Sequence, residues 1–189
     1  YKKSAEQGSQ YAQNNLGYMY ESGTGTSKNF SKAFEWYKKS AEQGSQYAQN
    51  NLGWLYEIGR GVVKDLKKAF VWYEKSANQG YEIAQNNLDK MFTNGVGVST
   101  DPEKAFEWYK KFALQGNAMA QNNLGFLYEE GEGVTQSYKK AFEWYTRAAN
   151  NGNTLAQMSL GFFYEYGKGT GINYSKAFKW YQKAANNGD

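Results

Sequence analysis

Lys32-Ala33-Phe34-Glu35-Trp36-Tyr37 returns as Lys68-Ala69-Phe70-Val71-Trp72-Tyr73 and as Lys104-Ala105-Phe106-Glu107-Trp108-Tyr109. It returns again as Lys140-Ala141-Phe142-Glu143-Trp144-Tyr145 and Lys176-Ala177-Phe178-Lys179-Trp180-Tyr181. Each copy starts 36 residues after the last. A fixed period of this size marks a repeat architecture, in which one supersecondary unit is stacked on the next. Outward from this block, Tyr1 to Gly8 match Tyr37 to Gly44, so the chain opens on a partial repeat at 1–8. Full repeats follow at 9–44, 45–80, 81–116, 117–152 and 153–188, read together as a single repeat domain spanning 1–189. Ser4 to Gly17 is identical to Ser40 to Gly53, the mark of tandem duplication.

Each repeat splits into two helical patterns. In the first, Ala12, Leu16, Met19 and Tyr20 fall at helical spacing on one face. Gly17 sits in mid-helix and recurs as Gly53, Gly125 and Gly161. A glycine there costs about 0.5–1 kcal/mol relative to Ala, which close helix–helix approach would offset. The third repeat has Asp89 at this position and Phe92 for the tyrosine, so a local packing change is expected. A glycine loop follows: Gly23-Thr24-Gly25, Gly59-Arg60-Gly61, Gly95-Val96-Gly97, Gly131-Glu132-Gly133 and Gly167-Lys168-Gly169. A phosphate-cradling loop follows a strand and opens a helix. Here the first glycine closes a helix, so it reads as a left-handed C-cap.

The second helix opens after Asn29, Asp65, Asp101, Ser137 and Asn173, all side chains that cap free N–H groups. Pro102 then occupies a first helical position, where its missing N–H does no harm. Asn29 and Asn173 also match Asn-x-Ser acceptors, but are read as caps. Ala33, Phe34, Trp36, Tyr37 and Ala41 form a broad apolar face, with Trp36 and Tyr37 expected to hold repeat to repeat. Glu35 with Lys39, Glu107 with Lys111 and Glu143 with Arg147 are favourably ordered i,i+4 pairs on the wet face.

The chain has no Cys and no His, which removes disulfides, Cys/His zinc sites, thiol catalysis and every Ser-His or Cys-His arrangement. No metal and no cofactor is implied. A net charge of +4 with interspersed signs lacks the basic stripe of a nucleic-acid binder. There is no apolar run long enough to span a membrane. Tyr1 is not an initiator Met, so the chain is expected to be a segment or a processed product.

The pattern Ala12-x-x-x-Leu16-Gly17-x-x-Tyr20-x-x-Gly23-x-Gly25, then Lys32-Ala33-x-x-Trp36-Tyr37-x-x-Ser40-Ala41-x-Gln43-Gly44, resembles the Sel1-like repeat, a relative of the tetratricopeptide repeat. Helix pair stacked on helix pair makes the fold class all-α: an α-solenoid of antiparallel pairs in 36-residue repeats. The resemblance further implies a right-handed superhelix whose first helices line a concave surface, and an adaptor role in protein–protein interaction. One cysteine-rich branch is associated with β-lactam binding, and a chain without Cys is not expected to share that property.

By the same analogy, first-helix positions outside the core form ladders along that surface. The candidate contacts are Tyr11, Asn14, Tyr18, Tyr47, Asn50, Trp54, Asn86, Lys90, Asn122, Phe126 and Phe162. Asn offers donor and acceptor together, as a peptide backbone requires, and the aromatics supply contact area. Bonding a neighbouring helix is the other role open to the amide ladders, above all to Asn15 and its copies. The expected function is a non-catalytic scaffold that binds a protein or peptide, with carbohydrate or cell-envelope glycan binding as the alternative. Glu21, Glu57, Glu129 and Glu165 recur at one helix position and read as a solvated face rather than the paired carboxylates of a hydrolase. No polar capping repeat closes either end, so continuation of the chain or end-to-end association of copies is expected.

Overall fold

Alternating cap and breaker signals become alternating helices. The computed structural model describes residues 2–95 and 102–187. Its helices are α1 (Lys2–Glu6), α2 (Gln10–Ser22), α3 (Phe30–Glu42), α4 (Gln46–Ile58), α5 (Leu66–Ala77), α6 (Glu82–Thr93), α7 (Pro102–Leu114), α8 (Ala118–Glu130), α9 (Tyr138–Asn150), α10 (Thr154–Tyr166) and α11 (Tyr174–Asn187). No strand occurs among the described residues. Contacts gather α1–α6 and α7–α11 into two compact units that divide between Ser99 and Thr100.

Each unit repeats one packing scheme. In the first, α2 pairs with α3 and α4 with α5, while α3 also meets α4 and α5 meets α6. In the second, α8 pairs with α9 and α10 with α11, with α7 against α8 and α9 against α10. A second helix is thus held between the first helix of its own repeat and that of the next. Ala33, Tyr37 and Ala41 of α3 join Ala48, Leu52 and Leu55 of α4 in one buried cluster. That is the core expected of a unit unable to bury its apolar face alone.

The expected start signals operate. The side chains of Asn29, Asp65, Ser137 and Asn173 accept from the N–H groups of Lys32, Lys68, Lys140 and Lys176. Asp101 lies outside the described residues. Ser9, Ser45, Asn117 and Asn153 cap the first helices in the same way. In the third repeat Tyr81 makes no such cap, and α6 ends on Asn94 in right-handed geometry rather than on a left-handed glycine. Both ends of the helix that carries Asp89 thus differ from those of the other first helices.

Two close approaches explain why glycine is needed. A Cβ on Gly53 would lie 2.8 Å from Cδ1 and 2.9 Å from Cε1 of Tyr73, so ring and helix backbone touch directly. Gly17, Gly125 and Gly161 meet Tyr37, Tyr145 and Tyr181 in the same way. Gly61, with φ of 74°, lies against the Phe30 carbonyl at the start of α3, locking one repeat's loop onto the preceding repeat.

In the first unit the Trp-Tyr pair divides its labour, against the expectation that both belong to the core, whereas Trp108 and Tyr109 of α7 are both buried. Tyr37 and Tyr73 are wholly buried. Trp36 and Trp72 are only half-buried. Trp36 packs on the cluster of Ala5, Ala12 and Leu16, and Trp72 on the α3–α4 cluster, each cluster joining residues of its own and the preceding repeat. Their outer ring faces are covered by Lys39 and Lys75 at 4.5 and 4.3 Å. Lys39 and Arg147, expected to pair with Glu35 and Glu143, sit over Trp36 and Trp144 instead. An ammonium or guanidinium over an indole face gains about 0.5–1 kcal/mol at an exposed site, more than an exposed i,i+4 ion pair.

Candidate binding surface of the first helices

Three polar systems, buried or partly buried for most of their length, tie the first helices to their neighbours. The first corrects the sequence reading of the glutamate row. Tyr37 Oη donates to Glu21 at 2.6 Å, Tyr73 to Glu57 at 2.6 Å, Tyr145 to Glu129 at 2.9 Å and Tyr181 to Glu165 at 2.8 Å. These carboxylates are acceptors for phenols driven inward by the Gly-Tyr contact, rather than a solvated face. Burial, then the neighbouring carboxylate, pushes the Tyr37 and Tyr73 hydroxyls far above the ordinary phenol range. Burial does the same for Tyr145, with the Glu129 charge and hydrogen bond adding to it. Tyr181 is pushed up to about 12, again by burial first and Glu165 second.

The second system escaped the sequence reading. Gln13, Gln49, Gln85, Gln121 and Gln157 are buried. Their amide nitrogens donate to the carbonyls of Ala5, Ala41, Ala77, Ala113 and Ala149, eight residues back at the end of the preceding second helix. The amide oxygens of Gln13, Gln49, Gln121 and Gln157 accept from Gln43, Gln79, Asn151 and Asn187. One glutamine thus stitches three helix ends. Its signal was a polar residue identical in all five repeats beside the core alanine.

The third system is the amide ladder. Asn51 donates to Asn14 at 3.3 Å and Asn87 to Asn50 at 3.0 Å, crossing from one first helix to the one before. Asn50 donates in turn to Asn51, and Asn122 to Asn123. Asn50 and Asn122 are buried, so these two candidate contacts are held by the scaffold: the Asn50 amide is engaged at both ends and Asn122 donates inward. Asn14 and Asn86 remain half-exposed.

The other candidates face solvent to different degrees. In the first unit Tyr11, Tyr18 and Tyr47 are 65%, 58% and 43% exposed. Lys90 is exposed and Trp54 half-buried. Tyr47 is braced edge-on by Tyr81 at 5.2 Å. In the second unit Phe126 and Phe162 are 47% and 38% exposed. Phe162 rests on Tyr166 and lines a cleft of about 300 Å³ with Met158, Ser159, Phe163, Tyr181 and Glu129. Glu129 is also paired with Lys168 at 3.1 Å, so the cleft floor is neutralised and its walls are apolar. No group of acidic side chains among the described residues could hold a metal ion. No helix among them is long and apolar enough to cross a membrane.

Helix pairs stacked through such a framework, with large side chains left facing water, define an α-solenoid repeat protein. The Sel1 repeat model matches residues 10–45, 46–81, 83–117, 118–153 and 154–189, and the chain belongs to the Sel1 repeat family. It is similar to c5321, a protective antigen of uropathogenic Escherichia coli with an SLR fold, at 36% identity and a TM-score of 0.90. That match covers 99% of this chain and 40% of that one, so the chain spans about two fifths of its relative. A Sel1 repeat protein from Oxalobacter formigenes is 35% identical with a TM-score of 0.87, over 97% of this chain and 75% of that one. The immunity protein Pa5087 of Pseudomonas aeruginosa is 27% identical with a TM-score of 0.51, over 84% and 58%. No curated protein matches the sequence. Sel1 repeat proteins are in general non-catalytic scaffolds for protein interaction.

Proposed function

We propose that the chain is a non-catalytic adaptor that holds a peptide or protein segment against the solvent-facing side of its first helices. The observation that carries this reading is the row of exposed aromatics at one helix position: Tyr18 in the first unit, Phe126 and Phe162 in the second. Single exposed apolar residues are ordinary, but rings recurring at one helix position form a surface, and such surfaces mark interaction sites. The half-exposed Asn14 and Asn86 lie beside this row with amides suited to a peptide backbone. Lys90 stands where the other repeats place a ring, which would select for an acceptor or an acid at that point.

Selection from a displayed peptide library, run in parallel with a glycan array, tests the proposal. The expected outcome is a peptide consensus whose capture is lost in Tyr18→Ala and Phe126→Ala while the helical melt is unchanged. Capture of glycans with a blank peptide selection would overturn it in favour of carbohydrate binding.

A further inference from the structure

Outside the first-helix surface, the second unit contains a groove of about 410 Å³ lined by Tyr164 of α10 and by Lys176, Lys179, Trp180 and Lys183 of α11. The three lysines stand at i, i+3 and i+7, which sets them along one stripe of the helix. Lys176 Nζ lies 5.1 Å from the Tyr164 ring centroid, and Lys183 Nζ lies 4.9 Å from that of Trp180. Two ammonium groups are thus held over the aromatic floor, and all three lysines are exposed.

Both cation–ring contacts recur in earlier repeats, and it is Lys179 between them that sets the last repeat apart. The position of Lys179 is held by Glu35, Val71, Glu107 and Glu143 in the others. Every other full second helix carries at least one acid: Glu35 and Glu42 in α3, Glu74 in α5, Glu103 and Glu107 in α7, Glu143 in α9. None is present in α11. Its three charges therefore face one another without a counter-charge on their own helix, an arrangement that is mildly destabilising in isolation.

We infer that this groove docks an acidic peptide segment of a partner protein, with carboxylates on the lysines and an apolar side chain on the Trp180 and Tyr164 rings. Seven helical residues rise about 10 Å. An extended chain advances about 3.3 Å per residue with alternate side chains on one face. A segment of the form acid-x-aromatic-x-acid therefore puts one ring between two carboxylates about 13 Å apart on the same side, within reach of the long lysine side chains at the ends of the stripe. Charge complementarity selects the acid. The absence of an arginine fork in the groove, and its confinement to one stripe on a chain of net charge +4, favour carboxylates over a phosphate lattice or a nucleic-acid backbone. Four of its five lining residues belong to a second helix, and the fifth, Tyr164, is not among the first-helix contacts proposed above, so the groove does not depend on that surface.

An NMR titration of the 189-residue chain at low ionic strength with acetyl-Glu-Ser-Phe-Ser-Glu-amide tests this. The comparison variant is Lys179→Glu, which installs the residue three other repeats carry and so retains the fold. The expected result is a shift of the Trp180 indole N–H that saturates, with affinity about tenfold weaker in Lys179→Glu, as reversal of one charge contact in water implies. The same peptide with Lys for Glu gives no shift. Equal affinity for the variant, or shifts confined to other helices, would overturn the assignment. So would binding of inorganic phosphate, of single-stranded RNA, or of phosphatidylserine–phosphatidylcholine vesicles in a Lys179-dependent way while the peptide fails.

Discussion

Gly53→Ala sets two effects of opposite sign against each other at one atom. Gly53 lies inside α4, where replacing glycine by alanine in an unhindered helix gains about 0.5–1 kcal/mol. The added Cβ would stand 2.8, 2.9 and 3.1 Å from Cδ1, Cε1 and Cγ of Tyr73, against ordinary carbon contacts of about 3.5–4 Å. The ring has no route of retreat. It is fully buried, and its hydroxyl is held by Glu57 at 2.6 Å. Overpacking a closed site costs about 1–3 kcal/mol, and a displaced ring would also weaken a charge-assisted hydrogen bond. The steric term wins, leaving a net destabilisation of about 1–2 kcal/mol. For a chain of this size that is a fall of about 2–8 °C in melting temperature. Gly171→Ala is the internal control. Its new Cβ meets nothing within 4 Å and its φ is not positive, so it should stabilise by about 0.4–1 kcal/mol through the unfolded chain. Thermal and urea melts followed by circular dichroism give both values. A Gly53→Ala melt at or above that of the parent would refute the close-packing account of the helical glycines.

Three further outcomes follow from the same framework. Above pH 10 the unfolded tyrosines ionise while Tyr37, Tyr73 and Tyr145, with raised pKa values, stay protonated in the fold. The unfolded state then binds fewer protons, so stability falls as pH rises, by about 1.4 kcal/mol per group at pH 11 and hence about 4 kcal/mol for the three. Urea melts at pH 9 and pH 11 read the difference, and equal stability at the two would contradict buried neutral phenols. Gln49→Leu should lose about 1–2 kcal/mol, because the bonds to the Ala41 carbonyl and from Gln79 vanish and leave polar groups between the helices short of a partner. Trp72→Ala should cost about 2–3 kcal/mol, below the loss from truncating a wholly buried ring; a loss equal to that of Tyr73→Ala would show the indole to be core after all.

The periodicity made the helices legible almost to the residue, because caps and breakers act locally. Asn29 starts a helix and Gly23 ends one through groups within four residues of themselves. What the sequence hid were partnerships across 16 or 30 residues. Glu21 looked solvated because its copies recur one per repeat rather than as a matched pair, and only the helix pairing brings it to the Tyr37 hydroxyl. Gln13 sits beside a core alanine, where a polar residue is easily read as edge; its two bonds, which tie three helix ends together, appear only once the helices are stacked. The candidate site was half legible for the same reason. Spacing identified Tyr18 and Phe126 as lying off the core face, and they are exposed. Spacing could not separate half-exposed Asn14 from buried Asn50, although each accepts from an asparagine of the next first helix.

The division between what repeats and what varies has a physical cause. A polar atom sealed between repeats leaves an unsatisfied partner if it is changed, at a cost of about 1–3 kcal/mol. The glutamine is accordingly the same in all five repeats, and the tyrosine it accompanies is too. Two other positions carry no such obligation. One reads Tyr18, Trp54, Lys90, Phe126 and Phe162 on the first helices; the other reads Glu35, Val71, Glu107, Glu143 and Lys179 on the second. Side chains at both are exposed or half-buried, where a substitution changes stability by only about 0.5 kcal/mol. A duplicated unit can therefore diverge at those two positions with little loss of fold. Each repeat presents a different chemistry on the same spacing, and an extended partner in contact with several repeats meets a sequence of sites rather than one site repeated. That is how a chain built of near-copies can acquire specificity. It also places the residues that distinguish the two proposed contacts, the rings on the first helices and Lys179 of α11, at positions the scaffold leaves free.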